Sequence, residues 1–582
     1  MKLTTIDWTI IAAYFLFNLL IGFYYKSKAG SNTTEFFLSG RNVPWWLAGT
    51  SMVATTFAAD TPLVVTGLVA RNGIAGNWLW WNMVASGMLT VFFFSRLWRR
   101  SGMTTDIELA ELRYSGKPAA FLRGFRSVYL GVLMNCIILG WVNLAMVKIL
   151  SLVLGITKDQ ALWLVIAIIA LTSFVSTLSG LWGVLVTDLF QFVIKMTMVI
   201  VLGVEAVRAV GGVDAMKAKL GGDGSAFLSF VPDLHSVWMP AVTFFVYIAV
   251  NWWATWYPGA EPGGGGYVAQ RMFSAKDERN SLLATLWFNV AHYALRPWPW
   301  VVVGMASVIL YPHLQDPESG YVRVMIDYLP ASLRGLMVAA FAAAFMSTVG
   351  TQLNWGASYL VNDLYRRFIR TDGADRHYVH ASQVMTVILT ITSAVITHYL
   401  DSISYLWKLL LVTGAGTGSV LILRWYWWRI NAWSEVSAMA AAFVASFTLQ
   451  TVFHLDSDDP VQFAHLILLT VGFTTVVWLA TTFLTAPETD ATLLGFYRRV
   501  RPAAGWGPIA RLAPEVKVSR DFAWNFIDWL AGCALIYGAL FGIGKIILKD
   551  YGEGFAFIAV AVVSAAIIYR DLSRRGWSTI ME

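Results

Sequence analysis

Runs of about 20 apolar residues recur along the whole chain, and they limit its possible folds more than any other feature. A helix of that length crosses the hydrocarbon core of a bilayer. Of the 582 residues, 57% are hydrophobic and 13% are charged, whereas soluble domains carry about 25% charged residues. Polar linkers between domains are not evident in the sequence. The chain is therefore predicted to be an all-α integral membrane protein.

Hydropathy and helix-breaking residues divide the chain into about fifteen predicted transmembrane spans. The first apolar run lacks a small-residue cleavage site and is followed, not preceded, by basic residues, so we expect a retained helix and not a secretory signal. The spans are expected near residues 6–25, 46–70, 78–98, 120–155, 161–180, 184–208, 237–257, 280–310, 333–365, 378–400, 404–424, 433–453, 461–484, 522–548 and 553–570.

The basic residues are concentrated in alternate loops between these runs. The positive-inside rule then predicts a plasma-membrane protein with its N-terminus outside and its C-terminus in the cytoplasm. The net charge of +7 is explained by this orientation and not by a nucleic-acid partner. Cys136 and Cys533 lie within apolar runs and are expected to be packed thiols, with no disulfide or redox site.

Two of the predicted spans are interrupted. The span that begins at Trp45 contains small residues, Asp60 and Pro62 at mid-membrane depth, and proline removes a backbone donor from a helix. A later span, which begins near Ser236, runs into a segment of prolines and glycines at residues 258–266 that opposes regular helix. Irregular backbone at this depth must be buried or line a cavity. Either break alone is also compatible with a kink or a re-entrant loop.

The two breaks lie at equivalent places in two five-span units, residues 46–208 and 237–424. This arrangement predicts inverted repeats with a solute site between them. The remaining residues are assigned to an N-terminal peripheral helix with the first cytoplasmic loop (1–45), an extracytoplasmic loop (209–236) and C-terminal peripheral helices (425–582).

Four sequence segments can be compared with known families: EFFLSGRNVPWW at 35–46, GLWGVLVTDLFQ at 180–191, AAAFMST at 342–348 and NDLY at 362–365. Taken in order and spacing, they resemble the sodium/solute symporter family, which includes sodium/glucose and sodium/proline cotransporters. The resemblance implies a LeuT-like fold, with two inverted five-helix repeats whose first helices are broken and with added peripheral helices. It also implies sodium-coupled symport of a small polar organic solute by alternating access, and no enzymatic activity.

The resemblance implies a sodium site between the first broken helix and a later helix. Its ligands would be carbonyl and hydroxyl oxygens, which suit a hard cation such as Na⁺. Without the resemblance, adjacent hydroxyls on a helix are more often bonded back to that helix. The implied ligands are the carbonyls of Ala54, Phe57 and Ala344 and the hydroxyls of Ser347 and Thr348.

Some relatives have a second sodium site, built from a carboxylate and from hydroxyls one turn below Ser347. The corresponding residues here are Asp188 and Thr351, but Gly350 stands where a further hydroxyl would be. The ligand set for a second ion is therefore incomplete. The alternative is that Asp188 pairs with a cytoplasmic base in a structural role.

The implied solute site departs from that of the sugar transporters. Arg296 stands at the position of their sugar-contacting lysine, Trp80 near that of a glutamate, and Thr61 at that of a glutamine or histidine. Asp60 adds a carboxylate and Lys408 is a further candidate. Ionisable groups within spans mark a site or pair with each other. Asp60 and Arg296 are therefore expected either to form an ion pair or to bind a donor and a carboxylate of the solute.

Aromatic side chains are abundant near the same spans, and aromatic walls suit sugars, ring compounds and cations. Two other lysines within spans, Lys148 and Lys195, are expected to extend toward a membrane interface. The tryptophans that are candidates for the solute site are Trp78, Trp80, Trp81, Trp141, Trp252, Trp253, Trp256 and Trp298.

Three other functions are compatible with parts of this pattern. A proton-coupled transporter of the same fold would use Asp60 or Asp188 as its titrating group. A membrane-embedded acyltransferase-type enzyme would need a buried reaction chamber, and His292 is the one histidine well inside a predicted span, with no evident partner. A transporter-like sensor would need a cytoplasmic output domain, and the segment after about residue 570 is too short for one.

Overall fold

The computed structural model describes residues 3–29, 38–103, 105–519 and 521–577. Helices follow one another through this part of the chain and no named strand forms in it. In this part of the chain, four segments with the wider π-helical turn join α-helices within longer helical runs, and a fifth, Tyr359–Ile369, ends such a run. The principal helices are Thr5–Ala29, Trp45–Thr56, Asp60–Asn72, Val84–Leu89, Ser95–Ser101, Gly116–Val128, Asn135–Leu154, Lys158–Val210, Ala241–Val246, Gly266–Ser274, Glu278–Asn289, Pro297–Leu310, Gly320–Tyr328, Leu333–Ser358, Asp375–His398, Ile403–Thr413, Thr417–Tyr426, Ala432–Thr451, Pro460–Leu484, Asp490–Val500, Phe522–Ile547 and Tyr551–Arg575.

Many of these helices are built to cross a membrane. Among the described residues, nine helices are long and apolar enough to do so, and two bent pairs bring the number to eleven. Large apolar side chains on the outside of the bundle, such as Phe245 and Val476, remain exposed, as expected for side chains that face lipid. The prediction of an all-α integral membrane protein is confirmed.

The first predicted break is present. Helix Trp45–Thr56 and helix Asp60–Asn72 form a single interrupted span with a bend of 60°. Pro62 lies in the first turn of the second half, where its missing N–H removes no intrahelical hydrogen bond. The backbone leaves the helical conformation at Phe57, with φ −87° and ψ 64°.

The second predicted break is also present. A helical run ends at Ala254, and the next helix begins at Gly266. Between them, Gly263 and Gly264 have φ values of +81° and +82°, which favour glycine over residues with a side chain. The proline- and glycine-rich segment is therefore irregular and largely buried within the protein.

A third break was not predicted. The expected span at 404–424 consists of two helices, Ile403–Thr413 and Thr417–Tyr426, with a bend of 51°. Gly416 lies at this bend with a φ of +86°. Its N–H donates to the carbonyl of Ala254 at 2.7 Å, so the second and third breaks are in direct contact.

One predicted turn is wrong. The predicted spans at 161–180 and 184–208 require a turn near Gly180, but one continuous helix covers Lys158–Val210. A single glycine costs a helix only about 1 kcal/mol relative to alanine, and no proline lies nearby to break the hydrogen-bond ladder.

The first broken helix lies at the centre of the bundle. Helix Trp45–Thr56 packs against Lys158–Val210, Glu278–Asn289 and Leu333–Ser358. The contact with the second of these is very close, because a Cβ at Gly49 would lie 2.5 Å from the carbonyl oxygen of Ala284.

The two cysteines are free thiols. Cys136 is buried and Cys533 is half-buried.

Candidate functional site

A cavity of about 70 Å³ opens where the first and second breaks face each other. Thr56, Asp60 and Thr61 line it from the first broken helix, and Tyr257 and Pro258 line it from the second break. The other lining residues are Thr55, Ala58, Trp80, Met83, Ile138, Trp141, Val142, Tyr267, His292, Tyr293, Arg296, Thr348, Gln352 and Trp407.

The cavity brings together four of the five residues predicted for the solute site: Asp60, Thr61, Trp80 and Arg296. Lys408 lies elsewhere, because its ammonium donates to Asp458 Oδ1 at 2.8 Å on the partly exposed side of the helix. The helical turn that carries Lys408 outward directs the preceding residue, Trp407, to the cavity.

Of the two alternatives predicted for Asp60 and Arg296, the ion pair does not form, since no salt bridge joins their side chains within the described residues. The Asp60 carboxylate is 3% exposed, and no described group donates a hydrogen bond to its Oδ1. Gln352 Oε1 is also buried and accepts no hydrogen bond from a described group. A buried acceptor without a donor costs free energy, so the cavity presents two acceptors that a bound solute can satisfy.

Arg296 is instead held by the protein. Its Nε donates to the carbonyl of His292 at 3.1 Å and its Nη1 donates to Thr56 Oγ1 at 3.1 Å. Its Nη2 lies 2.7 Å from Nδ1 of the His292 ring. The guanidinium also lies over the rings of Trp300 and Phe57, at 5.3 Å and 5.9 Å from their centroids. His292 thus has a partner that the sequence did not reveal.

Aromatic rings form much of the cavity wall. Trp80 stacks on Tyr293 with a centroid separation of 5.7 Å, and Trp407 meets the edges of Trp141 and Tyr257. Of the eight candidate tryptophans, Trp80 and Trp141 line the cavity. Several lining residues were missed, although Gln352 lies one helical turn after Thr348 and could have been found from that spacing.

Two of the predicted sodium ligands bind a lysine. Lys195 Nζ donates to the carbonyl of Ala54 and to the carbonyl of Phe57, each at 3.2 Å. Lys195 is 2% exposed, so the expectation that it extends toward an interface is wrong. The same expectation fails for Lys148, which pairs with Glu318 at 2.6 Å.

The hydroxyls of the predicted sodium site already have partners. Thr348 Oγ1 donates to the carbonyl of Thr55 at 3.2 Å and to that of Ala344 at 3.0 Å. Ser347 Oγ donates to Asp188 Oδ1 at 2.9 Å. Thr348 and Ala344 therefore lie beside the first break, and Ser347 is joined to Asp188. Lys195 bonds to the other two predicted ligands.

Asp188, predicted with Thr351 for a second sodium site, contacts residues of three other helices. It accepts hydrogen bonds from Ser347 and, at 2.6 Å, from Ser51. Arg271 Nη2 lies 4.0 Å from its Oδ2. The alternative in which Asp188 pairs with a base matches this geometry.

Interrupted helices around a buried polar cavity, within a bundle of membrane-spanning helices, define a membrane transport protein. A family model described as the sodium:solute symporter family matches residues 36–443. The chain belongs to this family, and it is a transporter and not an enzyme.

The relatives of the chain are transporters. It is 23% identical to the sodium/glucose cotransporter of Vibrio parahaemolyticus over 84% of this chain and 92% of that one. It is 23% identical to the sodium/mannose cotransporter of Bos taurus, covering 67% and 68%. It is also 23% identical to the high-affinity proline transporter of Bacillus subtilis, covering 72% and 87%.

Solved structures share the fold. A sodium-coupled sialic acid symporter matches with a TM-score of 0.68 at 18% identity, over 84% of this chain and 99% of that one. Mhp1, a nucleobase-cation-symport-1 family transporter, matches with a TM-score of 0.50 at 13% identity, over 80% and 99%.

Proposed function

We propose that the protein is a secondary active symporter that carries a small polar organic solute by alternating access. The observation that carries this proposal is the cavity between the broken helices, with the free acceptors Asp60 Oδ1 and Gln352 Oε1 in its wall. Solute sites of broken-helix transporters lie at this position. Inverted repeats built from residues 46–208 and 237–424, and a plasma-membrane location with the N-terminus outside, complete the proposal.

The solute that fits this cavity carries hydrogen-bond donors. Asp60 and Gln352 offer acceptors, while the nitrogens of Arg296 are engaged by Thr56 and His292. A solute carboxylate would therefore compete with Thr56 and His292 for the guanidinium, whereas hydroxyl or ammonium groups meet acceptors that have no donor. The rings of Trp80 and Trp141 contact the apolar face of such a solute.

Family membership and the names of the relatives support sodium as the coupling ion. Coupling of this kind requires that the ion binds the solute-competent conformation more tightly than the other conformation. Proton-coupled transport on the same fold is the second candidate. The hydrogen bonds from Lys195 to two predicted sodium ligands favour it.

Uptake by purified protein in proteoliposomes tests the proposal. A panel of polyols, sugars, amino acids, amines and carboxylates is offered with an inward sodium gradient, with an inward proton gradient, or with neither. We expect accumulation of one class that carries donor groups, driven by one of the gradients. If no solute were accumulated and none raised the Tm of the protein, the proposed function would be wrong.

A further inference from the structure

We propose that the ammonium of Lys195 is a tethered cation that takes the place of the ion in the predicted sodium site. This inference concerns the ion site of the proposed symporter and rests on that function for its role in transport. It follows that the wild-type protein holds no sodium ion among Ala54, Phe57, Ala344, Ser347 and Thr348.

The geometry of the first break supports this assignment. Helix Trp45–Thr56 ends there, so its last carbonyls lack the usual donors of a continuing helix and carry the negative end of the helix dipole. Among the described backbone N–H groups, only that of Phe57 donates to the Ala54 carbonyl, in a long bond of 3.3 Å. Lys195 Nζ lies 3.2 Å from both the Ala54 and the Phe57 carbonyl oxygens. It also lies 5.5 Å from the centre of the Phe57 ring. A cation satisfies all three groups, and the protein itself supplies it.

The charge around the site leads to the same conclusion. The charge of Lys195 interacts with that of Asp188, on the same helix, and with that of Arg296. The charge of Asp188 also interacts with that of Arg271. Asp60 is the further carboxylate near Arg296. Three basic side chains thus share this region with two acidic ones. A sodium ion bound to the same two carbonyls would add a positive charge beside an ammonium, and like charges in a buried site repel strongly.

A purely structural role for Lys195 makes a different prediction. Lysine side chains commonly bond to the last carbonyls of a helix. In that case the five oxygens would form no cation site once the lysine was removed. If the ammonium stands in for an ion, its removal leaves an oxygen cage of the kind that binds Na⁺. Sodium binding by variants at residue 195 distinguishes the two roles.

The experiment measures sodium-dependent stabilisation of the purified full-length protein, with choline chloride at matched ionic strength as the reference. Lys195→Met and Lys195→Gln remove the charge and keep much of the side-chain volume. We expect no sodium-specific rise in the Tm of the wild type and a rise of about 2 °C or more in the variants. Ser347→Ala combined with Lys195→Met is expected to abolish that rise.

Lys219→Met is the matched control. Lys219 Nζ also donates to a backbone carbonyl, that of Val210 at 2.9 Å, but Lys219 lies at the exposed end of helix Val213–Lys219. We expect it to gain no sodium response. If Lys195→Met and Lys195→Gln gained none either, the inference would be overturned. It would equally be overturned by a sodium response of the wild type that Ser347→Ala and Thr348→Ala abolished.

Solute uptake separates this inference from the proposed function. Wild-type uptake is expected to persist when sodium is replaced by choline, and uptake by Lys195→Met is expected to depend on sodium. This result would support both the proposed function and the assignment of Lys195 to the cation site. Absence of uptake by the wild-type protein would contradict the proposed function. The sodium-dependent rise in the Tm of Lys195→Met and Lys195→Gln would still decide whether Lys195 occupies a cation site.

Discussion

The hydroxyl of Ser347 donates a 2.9 Å hydrogen bond to the carboxylate of Asp188, and this bond joins the two predicted sodium sites into one polar cluster. Ser51 donates to the other carboxylate oxygen at 2.6 Å, and Arg271 lies 4.0 Å away. The cluster links the first broken helix to Lys158–Val210, Gly266–Ser274 and Leu333–Ser358. It is thus placed to hold the helices around the first break in register.

Replacement of Asp188 by asparagine tests this structural role. Asp188→Asn removes a charge beside the buried Arg271 and turns one acceptor into a donor facing a hydroxyl. We expect a loss of about 1–3 kcal/mol in the free energy of unfolding, measured as a fall in Tm. The control is Asp223→Asn, because Asp223 is exposed where it pairs with Lys217 at 2.6 Å, and a pair with an exposed partner contributes about 0–1 kcal/mol. Equal shifts in the two variants would contradict the structural role.

Asp60 is predicted to act on the solute more than on stability. Because no described group donates to its Oδ1, Asp60→Asn breaks no bond to that atom but weakens the acceptor offered to the solute. We expect kcat/KM for uptake to fall at least about tenfold, which corresponds to about 1.4 kcal/mol, with the Tm unchanged or raised. Uptake kinetics and thermal unfolding of the same preparation measure both effects.

Glu318 is the matched control for Asp60, since it is a buried carboxylate with a full set of partners. It accepts hydrogen bonds from Lys148 at 2.6 Å and from the N–H of Ser404 at 3.1 Å. Glu318→Gln is therefore expected to lower the Tm more than Asp60→Asn does. A larger loss of stability in Asp60→Asn would show that Asp60 has a structural role instead.

Local features of the sequence predicted the fold well. The first two breaks follow from Pro62 and from the run of glycines at 263–266, since these residues disfavour helix wherever the chain goes. Gly416 gave no comparable signal. Its left-handed conformation is required by the bond to Ala254, a contact between residues far apart in the sequence.

Part of the candidate site was also predictable from the sequence. Asp60, Thr61, Trp80 and Arg296 line the cavity as expected, because the resemblance to a family carried their positions. Lys195 was misplaced, since no spacing rule relates it to Ala54, which lies 141 residues earlier. Lys408 was misplaced because a difference of one residue on a helix turns a side chain by about 100°.

The close packing of the first broken helix leads to a further prediction. A Cβ at Gly49 would lie 2.5 Å from the carbonyl oxygen of Ala284, so Gly49→Ala must push two central helices apart. Overpacking of this kind costs about 1–3 kcal/mol. Gly472→Ala is the control, because Gly472 is also helical and a Cβ there meets no atom within 4 Å.

The two glycine substitutions are expected to differ in their effect on the Tm. Gly472→Ala is expected to leave it unchanged or raise it, since alanine favours helix by about 1 kcal/mol over glycine. Gly49→Ala is expected to lower it and to reduce uptake, because helix Trp45–Thr56 carries part of the cavity wall. Indistinguishable Tm values for the two variants would contradict the central position of this helix.

The bend between Ile403–Thr413 and Thr417–Tyr426 depends on Gly416, and its substitution tests whether the third break is structural. Gly416→Ala places a side chain in a left-handed conformation, at a cost of about 1–2 kcal/mol, and brings the new Cβ to 2.5 Å from Thr474 Cβ.

Gly155→Ala is the control. It carries the same conformational cost at a φ of +66°, but its Cβ meets no atom within 4 Å. The difference in Tm between the variants therefore isolates the packing of the bend against Thr474. We expect Gly416→Ala to be the less stable of the two and, because Gly416 bonds to Ala254 beside the cavity, to be the one that loses uptake. Equal stability and equal uptake would mean that the bend does not pack as closely as the structure indicates.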